Sequence, residues 1–338
     1  MKTVKNKYPK IHFNFNEMGI LYALIIFWVI LAITNADFRN FAFYQNIVRQ
    51  ASFNAMCGIG MTFAIISGDF DLSVASQVSL SAVVMTLLLP TIGLIPTVIA
   101  ILGLGILMGT FNGILIAKMR IPAFIATLAM QFAYRALAQI VNSSPVVVKD
   151  KALLNMSTGY ILGIPIPFIV LIVLAIIGTI ILRKTALGRH ILAIGNSHEA
   201  AEISGISIPK TQILIYLLVG LFTAFTAIMM TSYLGSSNYG VPVGLEFTVI
   251  SAVVLGGTAL VGGKGSIFTT IVAAIFLVTI TSALTSFGIN SYVQKIVEGC
   301  ILIFAFSING IKASIDTFVT KSKARKELAA RQAAGSKA

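Results

Sequence analysis

Two carboxylates, Asp69 and Asp71, interrupt an otherwise apolar region in the segment Ser67-Gly-Asp-Phe-Asp-Leu-Ser-Val74. Ser73, Gln77 and Ser81 follow at intervals of four, with Ser76 nearby, a spacing that puts hydroxyl and amide groups on one helical face. In an apolar setting such a face either hydrogen-bonds neighbouring helices or lines a solute path. Its mix of donors and acceptors suits a polyhydroxylated solute, each of whose hydroxyls needs a partner. The acidic segment has two readings. A short turn between helices accounts for Gly68 and both Asp residues. A break within a membrane region, beside a polar cavity, also accounts for them, because acids at that depth are costly and functional and irregular backbone is tolerated there only beside water or protein.

Further polar groups sit inside apolar runs. Asn112 lies beside Gly105, Gly109 and Gly113, whose four-residue spacing permits close approach of a second helix. Gln131 precedes Arg135 by one turn; an arginine so placed is paired, snorkelled or turned to a cavity. Lys295 and Glu298 are spaced to neutralise each other on a helix, and Glu246 opens a run, at an interface position. These acids form no chain resembling a proton relay. A phosphate-binding loop needs G-x-x-x-x-G-K-[ST]. The nearest approach, ending Gly262-Gly-Lys-Gly-Ser266, has Thr258 in place of the first Gly and Gly265 in place of the hydroxyl residue, so a tight turn is expected and no ATP site. Cys57 and Cys300 have no metal-ligand spacing and the three histidines form no cluster, so neither a disulfide, a metal nor a cofactor is expected.

The elements that must position these residues follow from composition. Of 338 residues 57% are hydrophobic and 10% charged, with mean hydropathy +0.95. A soluble domain has about 25% charged residues, and this much apolar surface cannot be hidden in a soluble fold of this length. Disorder, collagen, a disulfide scaffold and an outer-membrane barrel are excluded, the last because the apolar runs are continuous rather than alternating. An all-α polytopic membrane protein with about ten transmembrane helices is expected. The first run is 18–34, and the others are approximately 51–68, 74–90, 92–117, 121–141, 160–182, 211–234, 246–262, 267–287 and 291–310, each near the roughly 20 residues that cross a bilayer. With the N-terminus inside, inside segments hold 18 Lys and Arg and outside segments 4. Positive charge gathers in the cytoplasm, so both termini are expected there, and the net charge of +13 needs no nucleic acid to explain it. The chain divides into a cytoplasmic segment 1–17, a membrane domain 18–310 set in lipid, and a basic cytoplasmic tail 311–338.

One inside segment is long, 183–210. Asn196 or Ser197 can cap a helix there, with Glu199 three residues after Asn196 as in a capping box. Gly205 and Pro209 end it. A helix of about two turns, roughly 197–204, is too short to stand alone and needs a docking surface, either the protein's own loops or another protein.

The segments MTFAIISGDFDLSVAS (61–76), GTFNGILIAKMRIPAFIATLAMQFAYRALA (109–138), ALGRHILAIGNSHEAAEISGI (186–206) and SAVVLGGTALVGGKGS (251–266) together resemble the permease subunits of ABC importers, in the ribose and monosaccharide group of the branched-chain amino acid/ribose permease superfamily. Asp69 departs from the Gly usual there. The resemblance implies a fold like the cobalamin-importer type and a bacterial plasma-membrane location. A second permease copy or a related permease would complete the pathway, a separate ABC ATP-binding subunit would bind ATP, and an extracytoplasmic sugar-binding protein would deliver the solute. It also maps a coupling helix for the ATPase onto Glu199, Ala200, Ala201 and Gly205. The substrate pathway is expected along Asp69, Asp71, Ser73, Gln77, Asn112, Gln131 and Arg135. A stand-alone secondary transporter is the alternative, and would need its own coupling-ion site; a channel or scaffold is a third class. The charge count generates a direct test. In a background lacking Cys57 and Cys300, cysteines placed at Lys5 and Ser336 should react with an impermeant maleimide only after the membrane is permeabilised; labelling of either site in intact cells would overturn the topology.

Overall fold

The computed structural model describes residues 18–305 and Ser307, so the segment 1–17 and the tail 311–338 lie outside the described residues. Twelve helices follow in order: α1 (Gly19–Thr34), α2 (Phe41–Ile66), α3 (Val74–Ile92), α4 (Leu94–Ala117), α5 (Ala123–Val141), α6 (Lys151–Thr158), α7 (Ile166–Lys184), α8 (Ala186–Asn196), α9 (His198–Ile203), α10 (Ile208–Leu234), α11 (Leu245–Leu255) and α12 (Ile267–Ser286). Residues 291–305 form a further helix, α13. Four two-residue strands complete the described chain: β1 (Val146–Val147), β2 (Tyr160–Ile161), β3 (Ile164–Pro165) and β4 (Ser236–Ser237). β2 and β3 make a hairpin before α7, whereas β1 pairs antiparallel with the distant β4.

Six helices, α3, α4, α5, α7, α10 and α12, are both long enough and apolar enough to cross a bilayer. α1 and α11 are apolar but shorter. The expected ten uninterrupted spans are therefore not all present as such among the described residues. The clearest departure is the run 246–262, which is not one span. α11 has 11 residues, about 16 Å at 1.5 Å per residue, or half of a hydrocarbon core of about 30 Å. Gly256 and Gly257 end it, the latter at φ +89°, and a loop follows to Ser266. Ahead of α11 the chain is non-helical through 235–244, a stretch punctuated by Gly235, Gly240, Pro242 and Gly244. It runs down the side of α3: Ser237 Oγ lies 2.7 Å from Thr86 Oγ1, and Ser79 Oγ donates to the Tyr239 carbonyl at 2.5 Å. Thr86 and Ser79 are seven residues apart on α3, a descent of about 10 Å. Backbone of this kind is stable at membrane depth only where protein covers it.

α2 and α10 form the core. From Ala51 to Ile66 nearly every α2 residue is buried, against α7, α10, α11 and α12. Its small residues allow this: Gly60 meets the Val219 backbone and Gly58 meets Thr270. Hydroxyls within these helices bond the preceding turn, as Thr62 Oγ1 does to the Gly58 carbonyl at 2.7 Å, which spares them desolvation without a partner. The glycine repeat of α4 faces α10 as the four-residue spacing implies. A Cβ at Gly109 would strike the Tyr216 carbonyl, one at Gly105 the Gly220 carbonyl at 2.4 Å away or less, and one at Gly113 the Ile213 backbone at 2.8 Å. Gly93, at φ +78°, reverses the chain between α3 and α4 in a single residue. Because α3, α4 and α5 are joined by short reversals, α3 and α5 run in the same direction.

The helix contact predicts a pair of opposite outcomes. Gly109→Ala is expected to lower the melting temperature of the detergent-purified protein, by overpacking worth about 1–3 kcal/mol. Gly103→Ala, whose methyl meets nothing within 4 Å, should be neutral or stabilising, with a helix-propensity gain of up to ~1 kcal/mol. Equal melting of the two variants would show that the α4–α10 contact is not tight.

Candidate polar site and coupling face

The break after α2 begins with Ser67 and Gly68, the latter at φ +92°, and ends by returning Asp71 to the protein interior. Asp71 Oδ1 accepts the Ser73 backbone N–H at 2.8 Å and the Ser73 hydroxyl at 2.6 Å, while Oδ2 accepts Gln77 Nε2 at 3.2 Å and Asn112 Nδ2 at 3.1 Å. Gln77 and Asn112 also donate to Ser73 Oγ, each at 2.8 Å. The Tyr134 hydroxyl reaches Asn112 Oδ1 and the Met108 carbonyl, both at 3.0 Å. Asp71, Ser73, Gln77 and Asn112 are wholly buried. Four of the expected pathway residues thus meet, through the break, α3 and α4, with α5 joining by Tyr134. They line no open path in this conformation. They are a buried network in which one carboxylate is held by four hydrogen bonds, while Gln77 Oε1 has no partner among the described residues.

The remaining expected residues lie elsewhere. Asp69 points away from the network and accepts Gln212 Nε2, at the start of α10, at 3.2 Å. Of the two readings of the acidic segment, a turn fits Asp69 and an interior break fits Asp71. Gln131 and Arg135 form a second group. Gln131 Nε2 donates to Glu246 Oε1 at 2.8 Å. Arg135 donates from Nη1 to the Tyr239 carbonyl at 2.9 Å and from Nη2 to the Pro242 carbonyl at 3.4 Å. Its partners are main-chain groups of the non-helical segment, rather than an acid or the membrane surface. Glu246, expected at an interface, is 2% exposed. Tyr134 and Glu246 were not among the pathway candidates: each is joined to them only by helix pairing, which spacing along one helix does not reveal. Lys295 and Glu298 line a cavity of about 320 Å³ between α2, α11, α12 and α13, with Asn54, Thr248 and Ser251.

On the face that carries α8 and α9, the expected short helix is present as His198–Ile203. Its cap is Ser197, whose Oγ accepts the Ala200 N–H at 3.2 Å. Asn196 closes α8 and bonds back to the Leu192 carbonyl at 2.7 Å, so the Asn196–Glu199 capping box does not form. Gly205 follows the helix at φ +79°, where a side chain is strained. Ala201 faces the protein at 3% exposure, whereas Glu199, Ala200 and Glu202 are exposed and Ile203 is 81% exposed. The surface available to a partner is therefore Glu199, Ala200, Glu202 and Ile203, and Ala201 belongs to the internal packing. At the other end of this unit three main-chain segments meet. Gly263 N donates to the Ile66 carbonyl at 2.8 Å. A Cβ on Gly195 would collide with that same carbonyl, and one on Gly262 would lie 2.7 Å from the Gly195 carbonyl. The glycines of 262–265 pack the loop onto the end of α8 and the end of α2.

Residues 43–306 match the family described as branched-chain amino acid transport system / permease component. The chain belongs to this permease family. Among its relatives, the probable ABC transporter permease protein YphD of Escherichia coli is 37% identical, over 88% of this chain and 90% of that one. The ribose import permease protein RbsC of Haemophilus influenzae is 34% identical over 86% and 91%, and the L-arabinose transport system permease protein AraH of E. coli is 36% identical over 88% and 92%. No solved structure matches the chain. The permease is a multi-pass membrane protein and a transport subunit.

The Asp71 network gives a prediction. Asp71→Asn keeps one acceptor oxygen and turns an amide donor toward groups that already donate, so one side of the network loses its acceptor. The variant should reach the membrane yet unfold at lower temperature, at a cost of about 1–3 kcal/mol. Thermal unfolding of the purified permease measures this, and an unchanged transition would show that the network does not hold the break in place.

Proposed function

We propose that the permease is the membrane-spanning subunit of an ATP-driven importer that carries a monosaccharide, ribose-like in its size and hydroxyl content, into a bacterial cell across the plasma membrane. Two permeases, identical or related, enclose the path in an architecture of the cobalamin-importer type. An ABC ATP-binding subunit docks on the cytoplasmic face and an extracytoplasmic sugar-binding protein delivers the solute. The observation that carries this reading is the likeness over most of the chain to relatives named as ribose and L-arabinose permeases. The uncharged donors and acceptors of α3, α4 and α5 support it, because they suit hydroxyl groups better than ions.

The coupling runs through backbone. ATP binding in the partner would press on α9, and α9 is continuous with α8, whose Gly195 touches Ile66 and the 262–263 loop. A shift of α8 therefore moves the end of α2 and the end of the α11 unit together, and the break with Asp71 lies five residues from Ile66. ATP and solute would bias the same pair of conformations, which alternating access requires. Pathway roles follow: Asp71, Ser73, Gln77 and Asn112 hold the closed form, Arg135 fixes the non-helical segment beside the path, and Gln131 holds the start of α11.

Ile203→Asp and Gly205→Val test the docking face. Both should leave the permease inserted at normal levels while reducing ATP-dependent sugar uptake into vesicles at least tenfold and weakening co-purification of the ATP-binding subunit. Uptake by the permease alone, driven by an ion gradient and indifferent to both substitutions, would instead establish a stand-alone secondary transporter.

A further inference from the structure

We propose that the start of the half-length helix α11, with Glu246 as its acceptor, is a binding site for a hydroxyl group of the transported solute. The inference rests on the sugar-permease reading above and names a residue of its path.

Glu246 is 2% exposed, and among the described residues only one of its oxygens is used: Oε1 accepts Gln131 Nε2, and Oε2 has no partner there. A buried carboxylate oxygen left unpaired is expensive, and its natural complement is a donor brought from outside the chain. Ser79 on α3 and Arg135 on α5 both bond the Tyr239 carbonyl, and Gln131, one turn before Arg135, bonds Glu246. On the α3 turn before Ser79, the wholly buried Ser76 Oγ is a second group with no partner among the described residues.

The same spot also offers donors. α11 starts after Gly244, at φ +89°, with no side chain capping it. The N–H groups of Phe247 and Thr248 take the Gly244 carbonyl at 3.1 and 3.2 Å, and those of Leu245 and Glu246 precede the first helical bond. A hydroxyl group is at once a donor and an acceptor. It can give its hydrogen to Glu246 Oε2 and receive one from the helix start or from Ser76.

The charges of the site are compatible with a neutral solute, and a zwitterion matches them as well. The positive end of the α11 dipole and the Arg135 guanidinium disfavour a cation, and the Glu246 carboxylate disfavours an anion. A neutral polyol meets neither penalty.

The test uses the permease reconstituted in vesicles with its ATP-binding subunit and binding protein, measuring ATP-dependent uptake of D-ribose, L-arabinose and their single-deoxy analogues. Glu246→Ala should lower uptake of the transported pentose at least tenfold at unchanged assembly. It should also narrow the preference for that pentose over at least one deoxy analogue by about tenfold. Glu246→Gln, which keeps an acceptor oxygen, should retain most of that preference. Wild-type uptake rates and preference in both variants would overturn the site. Loss of assembly in both would make Glu246 a structural residue and overturn it too, as would sodium- or pH-dependent uptake that Glu246→Gln abolishes equally for every sugar. Wild-type uptake of none of these sugars would overturn the sugar reading itself, and this site with it.

Discussion

Where a helix breaks against other helices rather than water, protein groups must complete its hydrogen bonds, and this chain breaks its helical path at 67–73 and again at 235–244. Each break leaves peptide groups that only the protein can satisfy. At the first, Asp71 folds back to take the Ser73 N–H, and α3 and α4 close over it with Gln77 and Asn112. At the second, Ser79 and Arg135 share the Tyr239 carbonyl, and β1 pairs with β4 above them. The arrangement of α3, α4 and α5 follows from the need to bring these side chains to those peptides.

Satisfying a break with side chains rather than a helix has a mechanical result. A continuous helix bends little, but a segment held by a handful of side-chain bonds can exchange one set for another at modest cost, since each such bond contributes about 0.5–1.5 kcal/mol net. The rigid parts are those with no room to give. α4 and α10 touch backbone to backbone through Gly105, Gly109 and Gly220, so they move as one piece. The permease thus combines a tightly packed pair of helices with two breaks held by side-chain hydrogen bonds.

Much of this was legible in the residues. The four-residue glycine repeat announced the α4–α10 contact, and the spacing of Ser73 and Gln77 announced a shared polar face. The short capped helix stands within a residue of its expected limits, and its cap is Ser197, one of the two residues expected, since Asn196 bonds back into α8. What was hidden depends on partners from other helices. Tyr134 joins the Asp71 network only because α5 packs on α3, and Glu246 joins Gln131 only because α11 begins deep in the fold. The run 246–262 misled because hydropathy records how apolar residues are, not whether their backbone is helical. The glycines and the proline of 235–244 were the available sign of a discontinuity. α6 passed unnoticed because eight residues of mixed polarity carry no span-like signal.

The junction of Gly195, Ile66 and Gly262–Gly263 is built largely of main chain, with the Asn196 amide beside Gly263. Main chain is the same whatever cargo a transporter handles, so this junction holds no information about the solute. If α3, α5 and α11 carry recognition as proposed, their side chains can be exchanged without altering this junction. The converse also holds: a cargo-specific adaptation is forbidden at the junction, because almost any side chain added there would force the segments apart. On the proposed function, recognition by side chains and transmission through backbone would be separated within one chain.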